Sequence, residues 1–149
     1  MDDQGGSIVS RLKELLDGQQ PPPWNWQELT AEERRAELED LAEWVAELQE
    51  GYGRWVRIPP CWPLHRALLE ELAVFWYWRQ RLDQAGDALP EEAVRWHQAL
   101  RMSARDWAEA FGGCRHASTG EVDERRDGRQ ARLEASRRYL DQAIERLTG

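Results

Sequence analysis

The sequence predicts an all-α fold, a small helical domain built around an antiparallel hairpin of about residues 63–84 and 90–112 with flanking helices. Three observations predict it. Apolar residues recur at three- and four-residue steps in several long stretches, the period of a half-buried helix. Proline and glycine punctuate those stretches, as helix starts and stops require. Only Trp55-Val56-Arg57-Ile58 looks like a strand, and it is too short to found a sheet.

Residues 1–6 are acids and glycines with nothing to bury, so they are expected to be disordered. Ser7 can cap a short helix to Leu16, stopped by Gly18. Pro21-Pro22-Pro23 then forces an extended linker. The expected organisation is a flexible N-terminal segment at 1–23, a helical core domain at 24–114, and a loop with a C-terminal amphipathic helix at 115–149.

Within the core, Thr30 and Glu33 form the pattern of a capping box, which starts a helix over 31–50. Leu38, Leu41, Val45 and Leu48 supply its apolar face, and glutamates crowd the other. Pro59-Pro60-Cys61-Trp62-Pro63 is a stiff entry into the next helix, with Pro63 acceptable in the first turn. That helix runs to about Gln84, with Leu64, Leu68, Leu72, Phe75 and Leu82 on one stripe and Trp76, Tyr77 and Trp78 widening it. Pro90 opens the following helix, whose expected stripe is Ala93, His97, Leu100, Ala104, Trp107 and Phe111; Gly112-Gly113 stops it. Leu133, Leu140, Ile144 and Leu147 mark a last helix over 129–147.

Composition narrows the function classes. The chain has 149 residues, 41% hydrophobic and 32% charged, with a net charge of -8. Its mean hydropathy is -0.81. A soluble, charge-coated protein is expected, without a membrane span. The polar, acidic opening residues do not resemble a secretory signal, so a cytoplasmic setting is expected, where a disulfide would be unusual. Residues 1–50 hold 13 acids against 4 bases, which argues against phosphate binding there. Residues 121–149 balance seven acids with seven arginines, the pattern of a self-paired, solvated helix more than of a nucleic-acid patch.

No glycine-rich phosphate loop, nucleophile elbow or His-Glu-x-x-His motif occurs. The chemistry that remains is a Cys/His constellation. Folding the hairpin about Asp87 sets residue 61 opposite residue 113, so Cys61, His65, Cys114 and His116 gather at one end. Two thiols and two imidazoles suit a closed, structural zinc site. The competing reading makes Cys61 a small buried hydrophobe and His65 an exposed helix residue. His97 is the alternative fourth ligand. The same fold places it opposite residue 77, roughly 18 Å along the axis from His65 at ~1.5 Å per residue, where a core histidine is the simpler role.

The segment Trp55 to Cys114, opening with Pro-Pro-Cys-Trp-Pro-Leu-His, resembles an actinobacterial domain of unknown function, the 4913 family. The resemblance covers about residues 24–114 and rests on Cys61, His65, Trp96-His97 and Cys114, with Trp26, Leu29-Thr30 and Trp44-Val45 upstream. This chain departs from it in the short spacing of Cys61 to His65. The resemblance implies a setting on plasmids, integrative conjugative elements or phages, and brings no known activity with it. It also adds weight to His97 as a ligand.

Nine tryptophans are more than the core of a small domain needs. Trp55, Trp62 and Trp78 are the candidates for a partner surface or a homo-oligomeric contact. The expected function is therefore a non-enzymatic, helical protein-interaction module, accessory or regulatory to a mobile element. A DNA-associated factor or acidic DNA mimic is the alternative; a metal-dependent enzyme is the second.

Overall fold

The computed structural model describes Ile8, residues 22–114 and residues 128–148. It contains four α-helices: α1 (Ala31–Tyr52), α2 (Arg66–Gln84), α3 (Pro90–Phe111) and α4 (Gly128–Thr148). A 3-10 turn, Trp62–Leu64, precedes α2. No strand occurs among the described residues. The expected helix from Ser7 to Leu16 lies outside them except for Ile8, which is helical.

Helix α1 starts where its capping box predicts. The Thr30 hydroxyl accepts from the Glu33 amide at 3.1 Å, and the Glu33 carboxylate accepts from the Thr30 amide at 3.0 Å. Two of the amides that a helix start leaves without partners are thereby satisfied. Leu38, Leu41, Ala42, Val45, Ala46 and Leu48 are buried along its inner face. Buried among them is a polar residue, Gln49, whose Oε1 accepts the Ile58 amide at 3.2 Å. This bond ties the Trp55–Ile58 stretch to α1. The stretch alternates like a strand, with Val56 and Ile58 buried and Trp55 and Arg57 exposed, yet it pairs with no strand among the described residues.

Helix α2 begins at Arg66, three residues later than the sequence suggested. His65 is extended, with φ -96 and ψ 97, and separates the start of α2 from the turn before it. The chain takes a 3-10 turn instead, with the Leu64 amide on the Cys61 carbonyl and the His65 amide on the Trp62 carbonyl, at 2.9 and 3.1 Å.

The buried stripe of α3 also differs from expectation. Trp96, Leu100, Ala104 and Trp107 are buried, whereas Ala93 and His97 are only partly so. Trp96 displaces its neighbours because its large ring has partners all round. Phe75, Tyr52 and Trp44 meet it edge-on at 6.1, 6.0 and 6.5 Å between centroids, and Arg79 lies over its face at 4.9 Å. Its indole N–H donates to the Phe75 carbonyl at 3.0 Å. The Trp107 indole donates to the Glu71 carboxylate. Two α3 indoles thus bond to two sites one turn apart on α2.

Helix α4 packs along α1 and against the 3-10 turn, adding Leu133, Leu140, Ala143 and Ile144 to the same core. Arg35 and Asp141 join α1 to α4 at the surface, 3.2 Å apart. Gly128, the first residue of α4, has φ 57, in the left-handed region that favours glycine.

Just before α1, Trp26 is buried and its indole donates to the Tyr77 hydroxyl at 3.2 Å. Tyr77 in turn donates to the Glu37 carboxylate. Partial burial and then the Glu37 carboxylate push the Tyr77 pKa well above its ordinary value of 10.0. A raised pKa in the folded state adds stability that is whole below the unfolded value and lost as pH rises past it.

Truncating Leu72 or Trp107 to alanine should therefore cost roughly 2–5 kcal/mol in urea melts, the range for large-to-small core changes. Unchanged midpoints would contradict the packing. Replacing Tyr77 with phenylalanine should weaken the protein at neutral pH. It should also flatten the fall in melting temperature above pH 10, where the wild-type tyrosine starts to lose its linkage advantage.

Candidate metal centre

Cys61 sits between Pro60 and the 3-10 turn and is fully buried. The turn returns the chain so that His65, the residue before α2, points its imidazole back toward it. His65 Nε2 lies 3.5 Å from Cys61 Sγ. His65 makes no side-chain cap to the amides of α2. Its ring rests on Phe111, the last residue of α3, with centroids 4.8 Å apart, which fixes its plane.

Cys114 arrives from the opposite element. The end of α3 closes with the Gly112 amide on the Ala108 carbonyl and the Cys114 amide on the Phe111 carbonyl, at 3.1 and 3.3 Å. This turn carries the thiol across to α2, and the two sulfurs lie 3.1 Å apart. Neither cysteine is in a disulfide. The ligand atoms of Cys61, His65 and Cys114 all fall within 4.8 Å of one another.

This group can hold a metal ion. A tetrahedral zinc with Zn–S of about 2.3 Å and Zn–N of about 2.05 Å has an S···N edge of about 3.6 Å and an S···S edge of about 3.8 Å. The Cys61–His65 edge of 3.5 Å already matches. The sulfur pair, at 3.1 Å, must part by roughly 0.7 Å to admit the ion. Two soft sulfurs and one imidazole favour zinc or another thiophilic ion over calcium or magnesium.

Of the residues expected here, three come together. His116 lies outside the described residues. His97 does not join them, despite the weight that the resemblance gave it. Its Nδ1 donates to the Ala93 carbonyl at 2.7 Å, and its Nε2 is 2.9 Å from the Tyr52 hydroxyl. Both ring nitrogens are therefore engaged within the protein. This histidine locks α1 to α3.

The three candidate surface tryptophans separate. Trp62 is 1% exposed, because the 3-10 turn drives it into the core, so it cannot meet a partner. Trp78 is half-buried and stacks on Phe75 at 6.2 Å. Trp55 is 51% exposed, with Arg101 5.9 Å from its ring centroid. Trp24, 45% exposed, is a further candidate beside the expected three. Its place after three prolines, which stop it from folding back in a helix, was the available signal.

Trp24 also edges a cleft of about 1050 Å³ formed with the first half of α2 and bordered by Leu69, Val74 and Phe75. The acids there are occupied: Glu70 pairs with Arg66 at 2.9 Å, and Glu71 accepts from Trp107.

Among the described residues, no helix is long and apolar enough to cross a membrane. No family model, curated protein or solved structure matches the chain, so the resemblance noted above stands on its own residues.

Cobalt(II) titrated into metal-free protein should give tetrahedral d–d bands with a thiolate charge-transfer band. Cys61→Ser and Cys114→Ser should each reduce the charge-transfer band, and the double variant should abolish it. A spectrum of octahedral, oxygen-ligated cobalt in the wild type would contradict the site.

Proposed function

We propose that this chain is a non-enzymatic, helical protein-interaction module, an accessory or regulatory protein of a plasmid, conjugative element or phage. The observation that carries the interaction reading is the outer face of α3. Val94, Arg101 and Arg105 are exposed and recur at helical spacing on one side, with Met102 beside them. Met102 is 69% exposed and Val94 56%, and Trp55 extends the same face through its contact with Arg101. A large aromatic ring, apolar side chains and arginines together are the composition of protein-binding surfaces. The mobile-element setting is supported by the residues of the resemblance alone.

In this reading, α2 and α3 form an antiparallel hairpin. Glu71 meets Trp107, while Arg79 meets Trp96, so positions rise on one helix as they fall on the other. Cys61, His65 and Cys114 then clasp the open end of the hairpin with a structural zinc. The clasp holds α3, and with it the Trp55 face, at a fixed angle to α2. Such a metal stabilises the fold without taking part in a reaction. The occupied acids of the neighbouring cleft also favour a non-enzymatic role.

A photo-crosslinking amino acid at Trp55 or Met102, introduced in the host, should yield a discrete protein adduct, and one at Glu43 on the acidic face of α1 should not. Nucleic-acid adducts at Trp55, or equal adducts at Glu43, would contradict the reading. Chelation of the zinc should lower the urea midpoint of the protein while leaving the α-helical circular dichroism spectrum intact in buffer. An unchanged midpoint would contradict a structural metal.

A further inference from the structure

We propose that Cys61 and Cys114 are a two-electron oxidation site, closing to a disulfide under a hydroperoxide. The link to metal release rests on the clasp described above, whereas the disulfide rests on the thiol pair alone.

The two sulfurs differ in access. Cys61 is fully buried and held between Pro60 and Pro63, with its carbonyl bonded to the Leu64 amide at 2.9 Å. Cys114 is partly exposed and follows Gly112-Gly113. A side chain at Gly113 would meet nothing within 4 Å, so the segment has open space beside it. A disulfide needs S–S of about 2.05 Å. The present 3.1 Å separation is therefore closed by a shift of about 1 Å.

The access difference sets the order of steps. The Cys114 sulfur attacks the peroxide, breaking the O–O bond; one oxygen stays as sulfenic acid and the other leaves as alcohol or water. Cys61 sulfur then attacks the Cys114 sulfur. The S–S bond forms, the S–O bond breaks, and the hydroxide leaves with the Cys61 proton as water. Two thiols and one hydroperoxide give one disulfide, one alcohol and one water, with the two electrons passing from sulfur to the O–O bond.

The consequence for the clasp is direct. Zinc takes two sulfurs about 3.8 Å apart as thiolates, and a disulfide holds them at about 2.05 Å with no thiolate charge. Oxidation and metal binding therefore exclude one another. The oxidised pair still ties α2 to the end of α3, so the hairpin stays closed while the metal leaves.

The test uses full-length protein, treated with hydrogen peroxide in metal-free and zinc-loaded forms. Metal-free protein should lose the mass of two hydrogens and yield a Cys61–Cys114 linked peptide, reversed by dithiothreitol. Cys61→Ser should instead hold Cys114 as a sulfenic acid that a dimedone probe traps. Zinc-loaded protein should release one zinc per disulfide formed, read with a chromophoric chelator. Sulfinic or sulfonic acid at Cys114 with Cys61 still a thiol, or chains linked only to one another, would overturn the proposal. Protein that takes up no zinc yet forms the intramolecular disulfide would refute the clasp and support the oxidation site.

Discussion

The register of α3 against α2 is the constraint on which the rest depends. It is set by two indole N–H groups, Trp96 on the Phe75 carbonyl and Trp107 on the Glu71 carboxylate. An indole has one donor, and leaving it without a partner in the interior costs about 1–3 kcal/mol. Sliding α3 by a turn would break both bonds and pull Trp96 from the aromatic ring cluster around it. Because the register is fixed at two points along the helices, it is fixed at the Cys61 end as well. Phe111 then falls beside His65, and the turn after it delivers Cys114 to Cys61.

The two ends of the α2–α3 pair are built differently. At the Cys61 end, prolines restrict the chain and a 3-10 turn replaces the first turn of helix, so thiol and imidazole are held four residues apart. Away from it, Tyr52 and His97 make the polar contact between α1 and α3. The two described histidines, His65 and His97, have thus been given different work. His97 is spent between α1 and α3, with one ring nitrogen on the Ala93 carbonyl and the other on the Tyr52 hydroxyl. His65 stands at the mouth of the thiol pair, where its position suits a ligand.

Much of this was legible in the sequence. The capping box at Thr30 and Glu33 is local and needs no partner, and it is present in the structure. Helices α1, α3 and α4 agree with their expected extents to within a few residues for the same reason. The meeting of Cys61, His65 and Cys114 was also legible, because it follows from counting residues about one turn. The start of α2 was misplaced because proline is tolerated in both a first α turn and a 3-10 turn, and the choice between them is tertiary. Periodicity does not say which of the adjacent Trp96 and His97 finds a pocket, and Trp62 is buried by the 3-10 turn. Gln49 was invisible: a buried glutamine is explained only by the Ile58 amide it satisfies, which comes from a segment outside its helix.

The proposed clasp is three side chains, Cys61, His65 and Cys114, around one zinc. X-ray absorption at the zinc edge, on protein loaded with one equivalent of zinc, reads it directly. Two sulfurs at about 2.3 Å with nitrogen at about 2.0 Å in the ion's first shell is the predicted result. A shell of nitrogen and oxygen alone, with no sulfur, would contradict it.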